Sequence, residues 1–331
     1  MKQDVAIIDS HQVPYIVEPD IEREVLGSEA RLVLCRVNSA EELIGLIDEA
    51  AAIISWHTIP LPASVIARLK NCRGIVRSAA GYDNIDIDFA AQRGIPVASV
   101  PDYGIEEVAD HTMALLLALV RKLTVVGPHA KNGKWDWRVV GSVPRLRGFR
   151  LGLVGLGRIG SAVAHRAQAF GLQVAFYDPY RPSGIDKVHA VTRHETLHEL
   201  LDWSQAVSIH VPLTAETRHL IGRAELARLT PETVLINTAR GEVIDQQALI
   251  ESIDAGRIGQ VGLDVLSSEP QVPDVLRVSE RVLLTAHSAF YADASLAEVR
   301  YKAAASVLRL LRGQPERNIV NGVYPQITQM P

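Results

Sequence analysis

The stretch RLGLVGLGRIGSAVAHRAQAFGLQVAFYD, Arg150 to Asp178, decides the reading of this chain. Leu151, Leu153 and Val154 form an apolar strand, and Gly155, Gly157 and Gly160 punctuate a turn. Ile159, Val163, Ala164, Ala167 and Phe170 repeat with helical spacing up to Gly171. A second strand, Val174 to Tyr177, ends at the acid Asp178. Strand, glycine turn, helix, strand and acid within about 30 residues form the dinucleotide-binding pattern. Gly155 allows a tight turn, Gly157 a close backbone approach to a pyrophosphate, and Gly160 close packing of helix on strand. The helix N-terminus offers N–H groups and partial positive charge to the phosphates. Asp178 can accept hydrogen bonds from both ribose hydroxyls and would repel a 2′-phosphate, which favours NAD over NADP. Arg181, three residues on, weakens that preference slightly.

Outward from this unit, 331 residues are enough for two domains. A hydrophobic share of 47% with 22% charged residues is that of a soluble globular protein. A net charge of −4 gives no reason to expect nucleic acid or an anionic membrane as partner. Cys35 and Cys72 are too few for a disulfide framework or a metal cluster, so no metal is expected. The N-terminus MKQDVAIIDS reads as a strand and not as a leader, and the longest apolar run, Met113 to Val120, is too short to span a bilayer. A cytoplasmic location is the expectation.

The fold expected is α/β, with two doubly wound domains: a flavodoxin-like substrate domain, discontinuous in sequence, and an inserted Rossmann NAD-binding domain. Five strands are predicted before residue 101, near residues 5–8, 32–35, 51–54, 74–76 and 95–98. Ser39 with Glu42 looks like a capping box opening a helix whose stripe is Leu43, Ile44 and Ile47. Gly104 to Leu123 reads as a long amphipathic helix suited to link the domains and to pack against a second subunit. The aromatic and basic segment Lys131 to Leu146, with Trp135 and Trp137, reads as an ordered arm at an oligomer contact. Six strands are predicted from residue 150 onward, and the final helix, Ala292 to Leu311, is expected to return to the first domain. Residues 1–101 with 290–331 would then form the substrate domain, and 102–289 the NAD domain.

In a doubly wound sheet, ligands lie at the carboxyl ends of the strands. Arg240 (in NTARG), Glu269 (in DVLSSEP) and His287 (in TAHSAF) all sit just beyond strand ends. This set suits reduction of a 2-keto acid. A guanidinium grips the carboxylate with two N–H groups. A protonated histidine hydrogen-bonds the carbonyl oxygen as it gains charge and delivers the proton. A carboxylate beside the histidine holds its orientation and favours the imidazolium.

With these motifs in place, the chain resembles the D-isomer-specific 2-hydroxyacid dehydrogenases. The likeness runs from AGYDNID (Ala80 to Asp86) through GLGRIG, HVPLTAETRHLI, INTARGEVID and LDVLSSEP to TAHSAF. It implies that Arg240 binds the substrate carboxylate and carbonyl, Glu269 pairs with the histidine and His287 is the acid/base. It implies backbone N–H groups at Ala80 and Gly81 for the carboxylate, and a homodimer. The remaining candidates for contact with NAD are Arg158, Ile159, His210, Pro212, Thr217, Thr112, Thr238, Ala239 and Asp264. Within the family, SWHTIP, IVRSAAGYDNIDID, EEVADHTMALLLALVRK and FYDPYRPSGID are most similar to the C-terminal-binding protein branch. That resemblance adds Arg77 as a second carboxylate clamp and His57 as a lining residue. Phe290 stands where the branch has tryptophan and would face the substrate; Ala79 stands where glycine is frequent, and Ala286 where proline is usual. Two functions follow: an NAD-dependent enzyme acting on a small 2-keto or 2-hydroxy acid, or an NAD(H)-sensing scaffold of corepressor type. The retained Arg240, Glu269 and His287 favour the enzyme. A third, phosphoglycerate dehydrogenase, would be a short form without a regulatory domain.

Overall fold

The computed structural model describes residues 2–325. The chain divides into two compact units; one runs to Gly104 and resumes at Ala292, and the other is Ile105–Tyr291.

The first unit opens with β1 (Gln3–Ser10), α1 (Asp20–Leu26), β2 (Ala30–Val37), β3 (Ala52–Ser55), α2 (Ala63–Ile66), β4 (Ile75–Arg77), α3 (Ile87–Gln92) and β5 (Val97–Ser99). The five strands are parallel in the order β2-β1-β3-β4-β5, with Val5 opposite Ala52 and Ile53 opposite Ile75. Their near-continuous apolar sequences follow from burial on both faces, as parallel sheets require. The strand order reverses beside β1, so the ends of β1, β3 and β4 are where this sheet can hold a ligand. One expectation fails here. Ser39 and Glu42 do not cap a helix: only a short 3-10 turn, Glu41–Leu43, forms. The Glu42 carboxylate accepts from the Asn38 N–H, not from that of Ser39. Leu43 and Ile47 are buried, but Ile44 is exposed, so the side chains alternate with the turns and trace no helical stripe.

The second unit begins with α4 (Ile105–Val120) and α5 (Leu123–Lys131). The single helix expected over 104–123 stops early because Lys122 is left-handed, with φ +56. Ala109, Leu116 and Leu119 on α4 are buried in the core of this unit. A Cβ at Gly262 would stand 3.2 Å from Leu119 Cδ1, so the helix lies close on the sheet there. No residue of α5 is buried, and Trp135 and Trp137 beyond it are 94% and 77% exposed.

The rest of the unit is β6 (Arg150–Val154), α6 (Arg158–Ala169), β7 (Gln173–Tyr177), α7 (Ile185–His189), β8 (Thr192–Arg193), α8 (Leu197–Trp203), β9 (Ala206–Ile209), α9 (Arg223–Leu226), β10 (Val234–Asn237), α10 (Gln246–Asp254), β11 (Gln260–Leu263), α11 (Asp274–Val278) and β12 (Val282–Leu284). They form a parallel sheet in the order β12-β11-β10-β9-β6-β7-β8. It has seven strands, where the sequence predicted six. The extra strand β8 pairs only Thr192 with Ala175 and Arg193 with Phe176, too short to show a period of two. It is fixed instead by the Arg193 guanidinium, 5.0 Å above the Phe176 ring.

The last helix, α12 (Asp293–Leu311), belongs to the first unit. Val299, Ala303, Val307 and Leu310 bury its inner stripe. Arg300 ties it to α1 through the buried Glu22, at 2.7 Å. Both sheets and their covering helices give the α/β, doubly wound class read from the sequence. No single helix among the described residues is long and apolar enough to cross a membrane.

Candidate active site

In the second unit the glycine turn follows β6. Gly155 has φ +95, and a Cβ there would lie 2.8 Å from the His210 carbonyl oxygen. Gly160 lies on α6 against that turn: its Cβ would stand 2.3 Å from the Gly155 carbonyl oxygen. Gly157 differs. It caps α6 without any side-chain bond, and a Cβ there would meet only the tip of Arg181, at 3.6 Å. The first two glycines close the turn, and the third leaves the backbone open to a pyrophosphate. Arg158 and Ile159 form the first turn of the helix. Asp178, just past β7, is nearly buried. Its Oδ2 accepts from the Leu156 N–H at 2.9 Å and from Arg181 Nε at 3.2 Å, and its Oδ1 from the Tyr180 N–H at 3.0 Å. The acid thus fixes the glycine turn as well as standing where a ribose would come. These residues fit a dinucleotide.

His210 follows β9, with Nε2 at 2.8 Å from the Ser208 hydroxyl. Burial pushes its pKa down to about 3, so it is a neutral imidazole. Thr217 folds the next loop back by donating to the Pro212 carbonyl at 2.6 Å. Thr112 donates to the Val108 carbonyl at 2.7 Å and lies 2.9 Å from the Thr238 hydroxyl, so its buried hydroxyl is spent inside the unit. Ala239 donates its N–H to Asn237 Oδ1 at 3.0 Å.

Arg240 stands beyond β10. Its Nη1 donates to the Ala239 carbonyl at 2.8 Å, and its own carbonyl accepts from Asn237 Nδ2 at 2.8 Å. Gly241 next to it touches another loop: a Cβ would lie 2.0 Å from Leu266 C and 2.2 Å from Ser267 N. That loop carries Glu269. Glu269 Oε1 accepts from the Leu266 N–H at 2.8 Å, and Oε2 lies 2.9 Å from His287 Nδ1. The carboxylate accepts from a proton-bearing Nδ1, which fixes the tautomer and orientation of the ring. The ring of Phe290 stands edge-on to His287, with centroids 6.5 Å apart.

His287 is left-handed, with φ +51, a region that costs a non-glycine residue about 1–3 kcal/mol. Asp264, at the end of β11, holds it there. Its carbonyl accepts from the His287 N–H at 2.8 Å. Its carboxylate accepts from Thr285 Oγ1 at 2.6 Å and from the N–H groups of Ser288 and Ala289 at 2.9 and 3.0 Å. His111 on α4 completes the chain, with Nε2 at 2.9 Å from Thr285 Oγ1. Thr285 gives its proton to Asp264, so His111 donates to Thr285. Asp264, a candidate contact for the dinucleotide, is 3% exposed, and its carboxylate holds the histidine loop. Thr285 and His111 were missed, and neither carries a signal of its own in the sequence.

In the first unit, Arg77 ends β4 and is 1% exposed. Its Nε donates to Asn84 Oδ1 at 2.9 Å, and its Nη2 lies 3.2 Å from His57 Nδ1. Asn84, also missed, donates to the carbonyls of Trp56, His57 and Ile59. It clamps the chain after β3 to the guanidinium after β4. Ala80 and Gly81 follow, and their N–H groups donate to no acceptor among the described residues. At the end of β1, the buried Asp9 accepts from the N–H groups of Ser10, Tyr15 and Ile16. The loop it closes lays the Tyr15 ring flat on Trp56, 4.8 Å away.

A sequence model of the NAD-binding domain of D-isomer-specific 2-hydroxyacid dehydrogenases matches residues 113–289. A glyoxylate reductase of Korarchaeum cryptofilum is 37% identical over 287 residues, 86% of this chain and 86% of that one. The chain belongs to the D-isomer-specific 2-hydroxyacid dehydrogenase family. Members of known structure superpose along nearly its whole length. A D-lactate dehydrogenase of Aquifex aeolicus, solved with NAD and lactic acid, has a TM-score of 0.84 at 28% identity, covering 93% of this chain and 96% of its own. An NADPH-dependent glyoxylate/hydroxypyruvate reductase of Sinorhizobium meliloti reaches 0.85 at 27%, covering all of both. This family member is therefore an NAD-binding oxidoreductase that acts on the CH–OH group of 2-hydroxy acids.

Proposed function

We propose that the protein interconverts a small 2-keto acid and its D-2-hydroxy acid, with His287 as the acid/base. NAD, when bound, supplies or removes the hydride. His287 Nε2 donates a proton to the carbonyl oxygen in reduction and takes it back in oxidation. Glu269 fixes the ring by its bond to Nδ1 and stabilises the imidazolium. Arg240 binds the carboxylate and the carbonyl oxygen, and charge growing on that oxygen strengthens its hold. Arg77, with the N–H groups of Ala80 and Gly81, is assigned to the carboxylate, and His57 and Phe290 to the substrate. Relatives named for glyoxylate and D-lactate support an acid of this size. The observation that carries the reading is the His287–Glu269 pair, 2.9 Å apart, on a histidine held in a costly backbone conformation. A scaffold that only senses NADH has no use for that expense.

The test is NADH oxidation with glyoxylate, pyruvate, hydroxypyruvate and phenylpyruvate. His287→Ala and Arg240→Ala should abolish turnover of the preferred acid while NADH still binds. Turnover surviving His287→Ala would refute the assignment. We further assign the exposed α5 and the segment carrying Trp135 and Trp137 to a homodimer contact, since a monomer gains nothing by exposing two tryptophans close together. Light scattering on Trp135→Ser/Trp137→Ser should then report a smaller mass than for the parent; an unchanged dimer would refute it.

A further inference from the structure

The sequence places Arg181 three residues after Asp178, and the structure pairs the two side chains. We propose that the protein accepts NADPH as well as NADH, and that Arg181 takes the 2′-phosphate. An aspartate at the end of the second strand of such a unit normally rejects that phosphate by its charge. Here Asp178 is paired with Arg181, Nε to Oδ2 at 3.2 Å, and the pair carries no net charge. Its two halves are unequally placed. The Arg181 side chain is 41% exposed and that of Asp178 is 10% exposed, so an incoming group meets the cation first.

The acid is also largely occupied. Three protein donors already use its roughly four lone-pair sites, and one remains for the two ribose hydroxyls. The guanidinium is not. Among the described residues only Nε is engaged, and Nη2 lies 3.6 Å from where a Cβ on Gly157 would stand, over the open glycine turn. Nη1 and Nη2 donate to no acceptor among the described residues, which leaves the planar fork that suits a phosphate. The loop is fixed at its backbone. Arg193 Nη2 donates to the carbonyls of Arg181 and Pro182, 2.9 Å each, and adds a second positive charge beside the site. Glu216 opposes them, but it is tied to the Tyr180 hydroxyl. A phosphate at the ribose 2′ position would draw the guanidinium off Asp178 and replace one ion pair with another.

This inference does not depend on the role given to His287. The test is equilibrium binding of NADH and NADPH, read by nicotinamide fluorescence without any keto acid, on the parent, Arg181→Ala, Arg181→Lys and Asp178→Ala. The parent should bind NADPH within about tenfold of NADH. Arg181→Ala should widen that gap by about tenfold or more, the size of one lost charge-assisted contact. Arg181→Lys should recover part of it, and Asp178→Ala should reverse the preference. A parent that binds NADPH much more weakly than this, or an Arg181→Ala variant whose NADPH-to-NADH ratio matches the parent, would overturn the proposal.

Discussion

Replacing Asp264 by asparagine removes one charge and almost no volume, yet it should disable the enzyme from inside the sheet. An asparagine there can keep its oxygen towards Thr285 and Ser288, and must then turn its NH2 against the Ala289 N–H. One hydrogen bond to a charged acceptor is lost, about 1.5–3 kcal/mol, and the other two weaken from charged to neutral. Ala289 is buried, so its N–H finds no water in exchange. The total is about 3 kcal/mol, at or above the ~1–3 kcal/mol that the left-handed conformation of His287 costs. The loop should relax, and the imidazole should leave Glu269. We expect kcat/KM for the preferred keto acid to fall about a hundredfold, the equivalent of about 3 kcal/mol. NADH affinity should stay within about threefold, or ~0.6 kcal/mol, because the carboxylate faces inward. Steady-state kinetics with a fluorescence titration of NADH gives both numbers. A variant with kcat/KM within about threefold of the parent would refute the claim that Asp264 holds the histidine loop. A collapse of NADH binding would instead make Asp264 a cofactor contact.

Three further outcomes are expected. His210 is neutral when folded, with a pKa pushed down to about 3, and ordinary when unfolded, so the unfolded state takes up the proton first; stability is complete above pH ~6.5 and falls as pH drops towards 3, by up to about 2 kcal/mol at pH 5. Urea unfolding at pH 7.5 and 5 should show this loss in the parent and less of it in His210→Gln; equal losses would refute the assignment. Gly241→Ala would drive a methyl into the Leu266–Ser267 backbone and should cost at least about 1–3 kcal/mol by thermal melting, with activity lost at temperatures where the protein is still folded; a fully active, equally stable variant would mean the two loops do not touch. Asn84→Ala removes one anchor of the Arg77 guanidinium, at Nε, and should raise KM for the keto acid about tenfold, or ~1.4 kcal/mol, with a smaller change in kcat; an unchanged KM would remove Arg77 from the carboxylate site.

Local chemistry explains what the sequence made legible. The glycine turn is a run of adjacent residues with fixed spacing, so Gly155, Gly157, Gly160 and Asp178 could be read directly. Arg240, Glu269 and His287 stood out because each follows an apolar strand, and the sheet brings the ends of β10, β11 and β12 to one edge. The hidden parts depend on residues distant in sequence. Nothing near Asp264 shows that it will fold back onto residues 285–289, and nothing near Asn84 points to Trp56. The left-handed backbone at His287 is invisible because turns of that hand are read from glycine and asparagine. The mistaken helix at Ser39 has the converse cause: a correct local pattern lost to tertiary packing, since Leu43 and Ile47 are buried by a chain that turns instead of coiling. Strand β8 escaped because two residues carry no period.

The loop after β1 is anchored by Asp9 entirely through main-chain N–H groups, those of Ser10, Tyr15 and Ile16. His11, Gln12, Val13 and Pro14 between the anchors are all exposed. Their side chains are therefore decoupled from the frame that carries them. Selection, or a randomised library, can rewrite those four positions beside the Tyr15–Trp56 stack without disturbing how the loop is held. Main-chain anchoring thereby separates how the loop is held from which side chains it displays.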